Sequence, residues 1–149
     1  MRPTVIHTAL GSCVAICLMS GAFGAGGMCH CLMPNSNGMT EPKGRFVDLA
    51  VKAMVSRLAE NGIMRDDLEA KLFGGAQIPG TSRSLAAGPK NVAVAHCVLE
   101  HLGIPLVAES TGGILGRKIF FDTGTGEVIL KWLHRDSCST TGLEKTGFC

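Results

Sequence analysis

A chain of 149 residues, 46% of them hydrophobic, has the length of one ordinary domain and enough apolar side chains for a core of its own. Fourteen Lys and Arg against 12 Asp and Glu leave a formal charge of +2, and no basic cluster interleaved with aromatic residues occurs, which speaks against a nucleic-acid partner. Seven cysteines, at 13, 17, 29, 31, 97, 138 and 149, are odd in number; a closed disulfide framework fits them poorly, and reduced thiols in a cytosolic protein fit better.

The run from Pro3 to Thr40 carries no Asp, Glu, Lys or Arg. One reading is a targeting or spanning segment, and "LGSC" at Leu10 to Cys13 even has the form of a lipoprotein cleavage box. The apolar stretch before it, Thr4 to Ala9, contains His7 and is shorter than a signal core of roughly 7 to 15 residues. The uninterrupted apolar run, Cys13 to Met19, is far below the ~20 residues of a membrane helix, and Ser20, Gly21, Gly24, Gly26 and Gly27 interrupt the chain beyond it. Two buried strands are the better reading: Val5 to Ala9 running on through Val14 to Met19, then, after a glycine-rich turn, Gly27 to Met33. Pro34 and "NSNGMTEPKG" form an exposed loop.

From Phe46 the period changes. Val47, Val51, Met54, Val55 and Leu58 recur at helical spacing, and Asn61-Gly62 supplies the stop. "EAKLFGGA", Glu69 to Ala76, reads as a short strand entering a Gly-Gly turn, followed by a Gly-, Ser- and Pro-rich loop to Lys90. A second helix is expected to begin near Asn91 as its cap and to bury Val92, Ala95, Val98, Leu99 and Leu102, with "GIP" at Gly103 to Pro105 as its end. His96 and His101 fall on its surface. "LVAES", "RKIFFD" and "EVILKWL" are strands, the last two joined by "TGTG" in a hairpin. From His134 the chain is polar and rich in small residues, so a frayed tail is expected.

The glycine-rich stretches do not complete a nucleotide site: "GAQIPGTS" lacks the lysine of a phosphate loop, and Gly24 to Met28 completes no dinucleotide fingerprint. Cys13, Cys17, Cys29, Cys31 and His30 are the candidate metal ligands, but C-x-x-x-C followed by C-H-C lacks the paired C-x-x-C spacing of zinc ribbons and fingers. A cysteine beside a histidine is a candidate nucleophile, because imidazole raises the thiolate fraction and can then protonate a departing amine. Gly11 and Ser12 leave room for a substrate chain at Cys13, and backbone N–H groups of such a turn suit an oxyanion. Spacing alone does not select among the cysteines, whose ordinary fate is that of small buried hydrophobes, as expected of Cys17, Cys29, Cys31 and Cys97. In an extended segment Cys29 and Cys31 point one way and His30 the other.

The ordered set "LGSCVAIC", "GGMCHCLMP", "EAKLFGGA", "GPKNV", "GIPLVAESTGG", "GRKIFFD" and "TGEVILK" resembles the CheD family of chemoreceptor glutamine deamidases, from about Val5 to Lys131. The resemblance implies an α+β fold with central β-sheets flanked by helices, formed by a single domain over residues 1–133 with a flexible tail at 134–149. It implies Cys13 as nucleophile, His30 as its acid/base partner and Thr8 as the upstream hydroxyl residue of the site. Ser110 in "ESTGG" stands where the family pattern has an aspartate. The implied reaction converts glutamine side chains of methyl-accepting chemotaxis receptors to glutamate through a thioester, with glutamate methyl esters as further substrates and with no metal or organic cofactor. The implied partners are those receptors and a CheC-type phosphatase, in the cytoplasm and without membrane insertion. An adaptor that binds and regulates such a phosphatase is the alternative.

Overall fold

A computed structural model describes residues 2–41, 43–81 and 86–134. The elements in chain order are β1 (Val5–Leu10), β2 (Val14–Ser20), β3 (Ala25–Cys31), α1 (Val47–Ala59), β4 (Glu69–Gly74), α2 (Ala87–Leu102), β5 (Leu106–Thr111), β6 (Gly116–Asp122) and β7 (Val128–Leu133). The seven strands divide into a four-stranded sheet of order β3-β2-β4-β5 and a three-stranded sheet of order β1-β6-β7. Neighbours are antiparallel except β4 and β5, which run parallel because α2 lies between them in the chain and carries it back.

Three layers result. The side chains of β2 at Val14, Ile16 and Leu18 join Val47, Ala50, Val51 and Leu58 of α1 and Ala95 and Leu99 of α2 in one core, between the helices and the four-stranded sheet. Cys13, Ala15 and Cys17, on the alternate positions, join Leu10, Phe73, Ile119 and Phe121 in a second core between the two sheets. Every residue from Val14 to Leu18 is therefore fully buried, which is why this strand reads as a continuous apolar run. The α+β arrangement that the resemblance implies is present, with both helices on one face of the larger sheet and the smaller sheet covering the other.

Three local expectations are corrected. β1 and β2 are not one strand: residues 11–13 bend, and the two halves pair in different sheets, β1 with β6 and β2 with β3 and β4. The helix expected at Asn91 begins a full turn earlier, at Ala87. Pro89 is tolerated in that first turn, where an amide N–H has no intrahelical acceptor, and Gly88 lets the turn press against the backbone carbonyls of Gly75 and Ala76, which a Cβ there would overlap. The strand expected at Gly27 to Met33 lies two residues earlier, at Ala25–Cys31. Gly103 adopts the left-handed conformation that ends α2, and β6 and β7 form the expected hairpin, with Phe121 opposite Val128. The expected tail lies, after His134, outside the described residues.

Candidate active site

Antiparallel partners on neighbouring strands share a face, and the β2–β3 register pairs Val14 with Cys31, Ala15 with His30 and Ile16 with Cys29. Cys31 belongs to the helix-side core and Cys29 packs against it. His30 turns the other way, toward the second sheet, on the side occupied by Cys13, Ala15 and Cys17. The alternation read from "MCHCLMP" is thus realised, and the five candidate metal ligands are split between opposite faces of one sheet. The ladder ends at Val14 and Cys31, and Cys13 follows one residue beyond it, in the same core as Ala15, whose partner is His30.

The third residue arrives from the other sheet. Thr8 of β1 pairs with Ile119, a member of the core between the sheets, and its Oγ1 lies 2.7 Å from His30 Nδ1. Nε2 of His30 is screened from solvent. Thr8, Cys13 and His30 therefore converge on one side of β2, although they come from a strand of one sheet, a bend and a strand of the other. His7, next to Thr8, points to the outer face of the small sheet and packs on Phe120 at 5.7 Å between ring centroids.

The bend that carries Cys13 is held from behind. Three consecutive carbonyls each accept a hydrogen bond: Gly11 O from Ala76 N at 2.9 Å, Ser12 O from Asn91 Nδ2 at 3.0 Å, and Cys13 O from Gly75 N at 2.8 Å. Gly74 adopts φ +106°, and a Cβ on it would overlap Cys13 O, so the Gly-Gly turn after β4 is required by the close approach of this bend. Since a peptide unit is planar and trans, the Ser12 and Cys13 N–H groups point away from Ala76 and Asn91.

Cys13 and Cys17 are both fully buried in the core between the sheets, and Cys31 is fully buried on the helix side. Burial pushes the Cys17 thiol up to about 12, with neighbouring Cys29 adding to the rise and Lys71 opposing it. The Cys31 thiol is also raised, first by its hydrogen bond with Cys29 and then by burial, with Cys13 among the nearby contributors. Both stay protonated at neutral pH and fill the core as small hydrophobes. Cys97 does not share that fate: it is exposed on α2, because its position falls off the stripe of Asn91, Ala95 and Leu99 that faces the sheet.

Two residues near the bend were not singled out by sequence reasoning. Asn91, read as a cap, is fully buried, and its Nδ2 also donates to Leu32 O at 3.2 Å. Its spacing of four and eight residues from Ala95 and Leu99 is the signal that places it on the buried stripe. Arg117 is fully buried opposite Leu10, and its guanidinium donates to Ser110 O, Ser110 Oγ and Gly112 O while stacking on Trp132 at 4.8 Å. Its inward direction was legible from the alternation Arg117, Ile119, Phe121.

A family model described as CheD chemotactic sensory transduction matches residues 32–132, more than half of the chain. The chain belongs to the CheD family. The match begins after Thr8, Cys13 and His30, so it is silent on these three residues. Curated CheD relatives align over most of their length. The "probable chemoreceptor glutamine deamidase CheD" of Sulfurimonas denitrificans is 37% identical over 139 residues, which cover 91% of this chain and 88% of that protein. The "chemoreceptor glutamine deamidase CheD" of Thermotoga maritima is 38% identical, over 87% of this chain and 83% of its own. The probable deamidase of Rhodospirillum rubrum is 42% identical, over 89% and 75% respectively. Among the described residues of this CheD chain, no helix is long and apolar enough to cross a membrane.

Proposed function

We propose that this chain is a chemoreceptor glutamine deamidase, a hydrolase that converts glutamine side chains of methyl-accepting chemotaxis receptors to glutamate in the cytoplasm. The observation that carries the reading is the convergence of Thr8, Cys13 and His30 between the two sheets, in a chain whose curated relatives bear that activity in their names.

Cys13 Sγ attacks the carboxamide carbon as His30 takes the thiol proton, giving a tetrahedral oxyanion held by the N–H groups of the Gly11–Cys13 bend. His30 returns the proton to nitrogen, the C–N bond breaks, ammonia leaves, and a thioester remains. Water then attacks that thioester with His30 as base, the C–S bond breaks, and a carboxylate and the Cys13 thiol are released. In these steps the contact between Thr8 Oγ1 and His30 Nδ1 holds the imidazole, and Nε2 is the atom that carries the moving proton. A glutamate methyl ester enters the same route with methanol leaving in place of ammonia. No step requires a metal or an organic cofactor.

The deciding experiment incubates purified receptor helices with wild-type protein and with Cys13→Ser, and follows mass and ammonia. A gain of about one dalton at specific glutamines with the wild type, and none with Cys13→Ser, is the expected result, because a hydroxyl beside a lone histidine is a poor nucleophile. A wild type that binds a CheC-type phosphatase yet releases no ammonia makes the adaptor the correct reading.

A further inference from the structure

Asn91 stands in an apolar stripe, between Gly88 and Ala95 on the buried side of α2, and it is completely removed from solvent. Its single Nδ2 group donates to two backbone carbonyls from distant parts of the chain: Ser12 O, one residue before Cys13, and Leu32 O, two residues after His30. The cost is visible in the same side chain, since its Oδ1 is buried with no hydrogen-bond partner among the described residues. Turning the amide over would set that oxygen against both carbonyl oxygens, so the orientation is dictated by the pair of acceptors. An apolar residue would fill the stripe without an orphaned acceptor.

Ser12 O and the Cys13 N–H belong to one planar peptide unit. Fixing the carbonyl therefore fixes the direction of the N–H, and a hydrogen bond accepted by the carbonyl polarises the N–H on its far side. The second bond, to Leu32 O, ties the same amide to the end of the strand that carries His30. Gly88, pressed against Gly75 and Ala76, seats the first turn of α2 on the turn that holds Gly11 O and Cys13 O, so Asn91 is delivered to the bend from a rigid support.

We propose that Asn91 is a positioning residue of the deamidation reaction: it aims the Cys13 peptide N–H at the developing oxyanion and holds the Cys13 bend in register with the His30 strand. The proposal rests on the deamidase reading above. Binding of the receptor helix does not involve Asn91, whereas stabilisation of the tetrahedral intermediate does, so its loss acts on kcat and spares KM.

The test compares full-length wild type, Asn91→Leu, which keeps the shape and removes both donors, and Asn91→Ser, which keeps one short donor. Deamidation kinetics on receptor helices are measured beside thermal melting and backbone amide exchange. The expected result for folded Asn91→Leu is a kcat ~10- to 100-fold lower with KM within about twofold, and faster exchange confined to residues 11–14 and 32–33. Folded Asn91→Leu with wild-type kcat and wild-type exchange overturns the proposal, as does a loss carried by KM alone. Failure of both variants to fold makes Asn91 a residue of the core and overturns it too. A wild type that deamidates no receptor removes the deamidase reading, and this one with it, before any variant is compared.

Discussion

Thr8 and His30 are 22 residues apart in the chain and lie in different sheets, yet Thr8 Oγ1 and His30 Nδ1 are 2.7 Å apart. The contact crosses the core between the sheets and sets both the plane of the imidazole and, if Nδ1 carries the hydrogen, the tautomer that a base at Nε2 requires.

Thr8→Val keeps the β-branched shape and removes the hydroxyl. The expected outcome is a folded protein with kcat lowered about tenfold to a hundredfold, with Thr8→Ser recovering most of the loss. His30→Ala goes further, by the ~10²- to 10⁴-fold of a general acid/base group. Ammonia release gives the rates, and nitrogen NMR of labelled His30 reads the tautomer. A Thr8→Val protein with wild-type rate and tautomer removes Thr8 from the site.

Gly74→Ala places a Cβ against Cys13 O at a left-handed φ of +106°, whereas Gly113→Ala meets no atom within 4 Å at a φ of +74°. The second change costs the backbone strain alone, about 1 kcal/mol. The first is expected to cost at least ~2 kcal/mol more and to displace the Cys13 bend. Urea unfolding measures the difference, and the alkylation rate of Cys13 by iodoacetamide, relative to the tail thiols Cys138 and Cys149, measures the displacement.

Folding stability is expected to fall from about pH 9 toward pH 12. Below pH 9 the Cys17 thiol is protonated whether the chain is folded or not; above it the unfolded chain loses the proton while burial holds it on the folded one until about 12. The unfolded state binds fewer protons throughout that window, so stability drops as pH rises. Cys31, raised in the same direction, adds to the slope. Urea denaturation across the window should show a shallower decline for Cys17→Ala than for wild type; parallel curves would remove Cys17 as a source.

Arg117 spans from the small sheet to the end of β5, where Ser110 O, Ser110 Oγ and Gly112 O accept its hydrogen bonds. Gly112 N in turn donates to Gly74 O at 2.9 Å, beside the turn that supports Cys13. Burial opposes its charge, and its described hydrogen-bond acceptors are carbonyl and hydroxyl oxygens. Arg117→Met fits the volume but leaves those acceptors unmet; a loss of about 3 kcal/mol in urea unfolding is expected. With Ser110→Asp, which adds a carboxylate at Ser110, the wild-type Arg117 protein should gain stability and the Arg117→Met protein should not.

Much of this molecule was legible in its residues because burial leaves a period. Val47, Val51 and Leu58 mark the buried side of α1, and Ala95 and Leu99 that of α2, since a helix with one covered face repeats its apolar residues every three or four positions. Gly103, Asn61-Gly62 and "TGTG" punctuate the chain for local steric reasons, and seven short blocks in order sufficed to place it beside the CheD proteins. The alternation of Cys29, His30 and Cys31 separated the histidine from its cysteine neighbours before any pairing was known. Only the tertiary structure decided that the stretch from Val5 to Met19 breaks at residues 11–13 into strands of two sheets, that Asn91 turns inward to Ser12 and Leu32, and that Thr8 meets His30. The first two depend on which distant backbone groups pair or accept a hydrogen bond, and the third on how the two sheets pack. Strand pairing is a long-range choice made by packing two layers against each other, and it leaves no period in the chain that makes it.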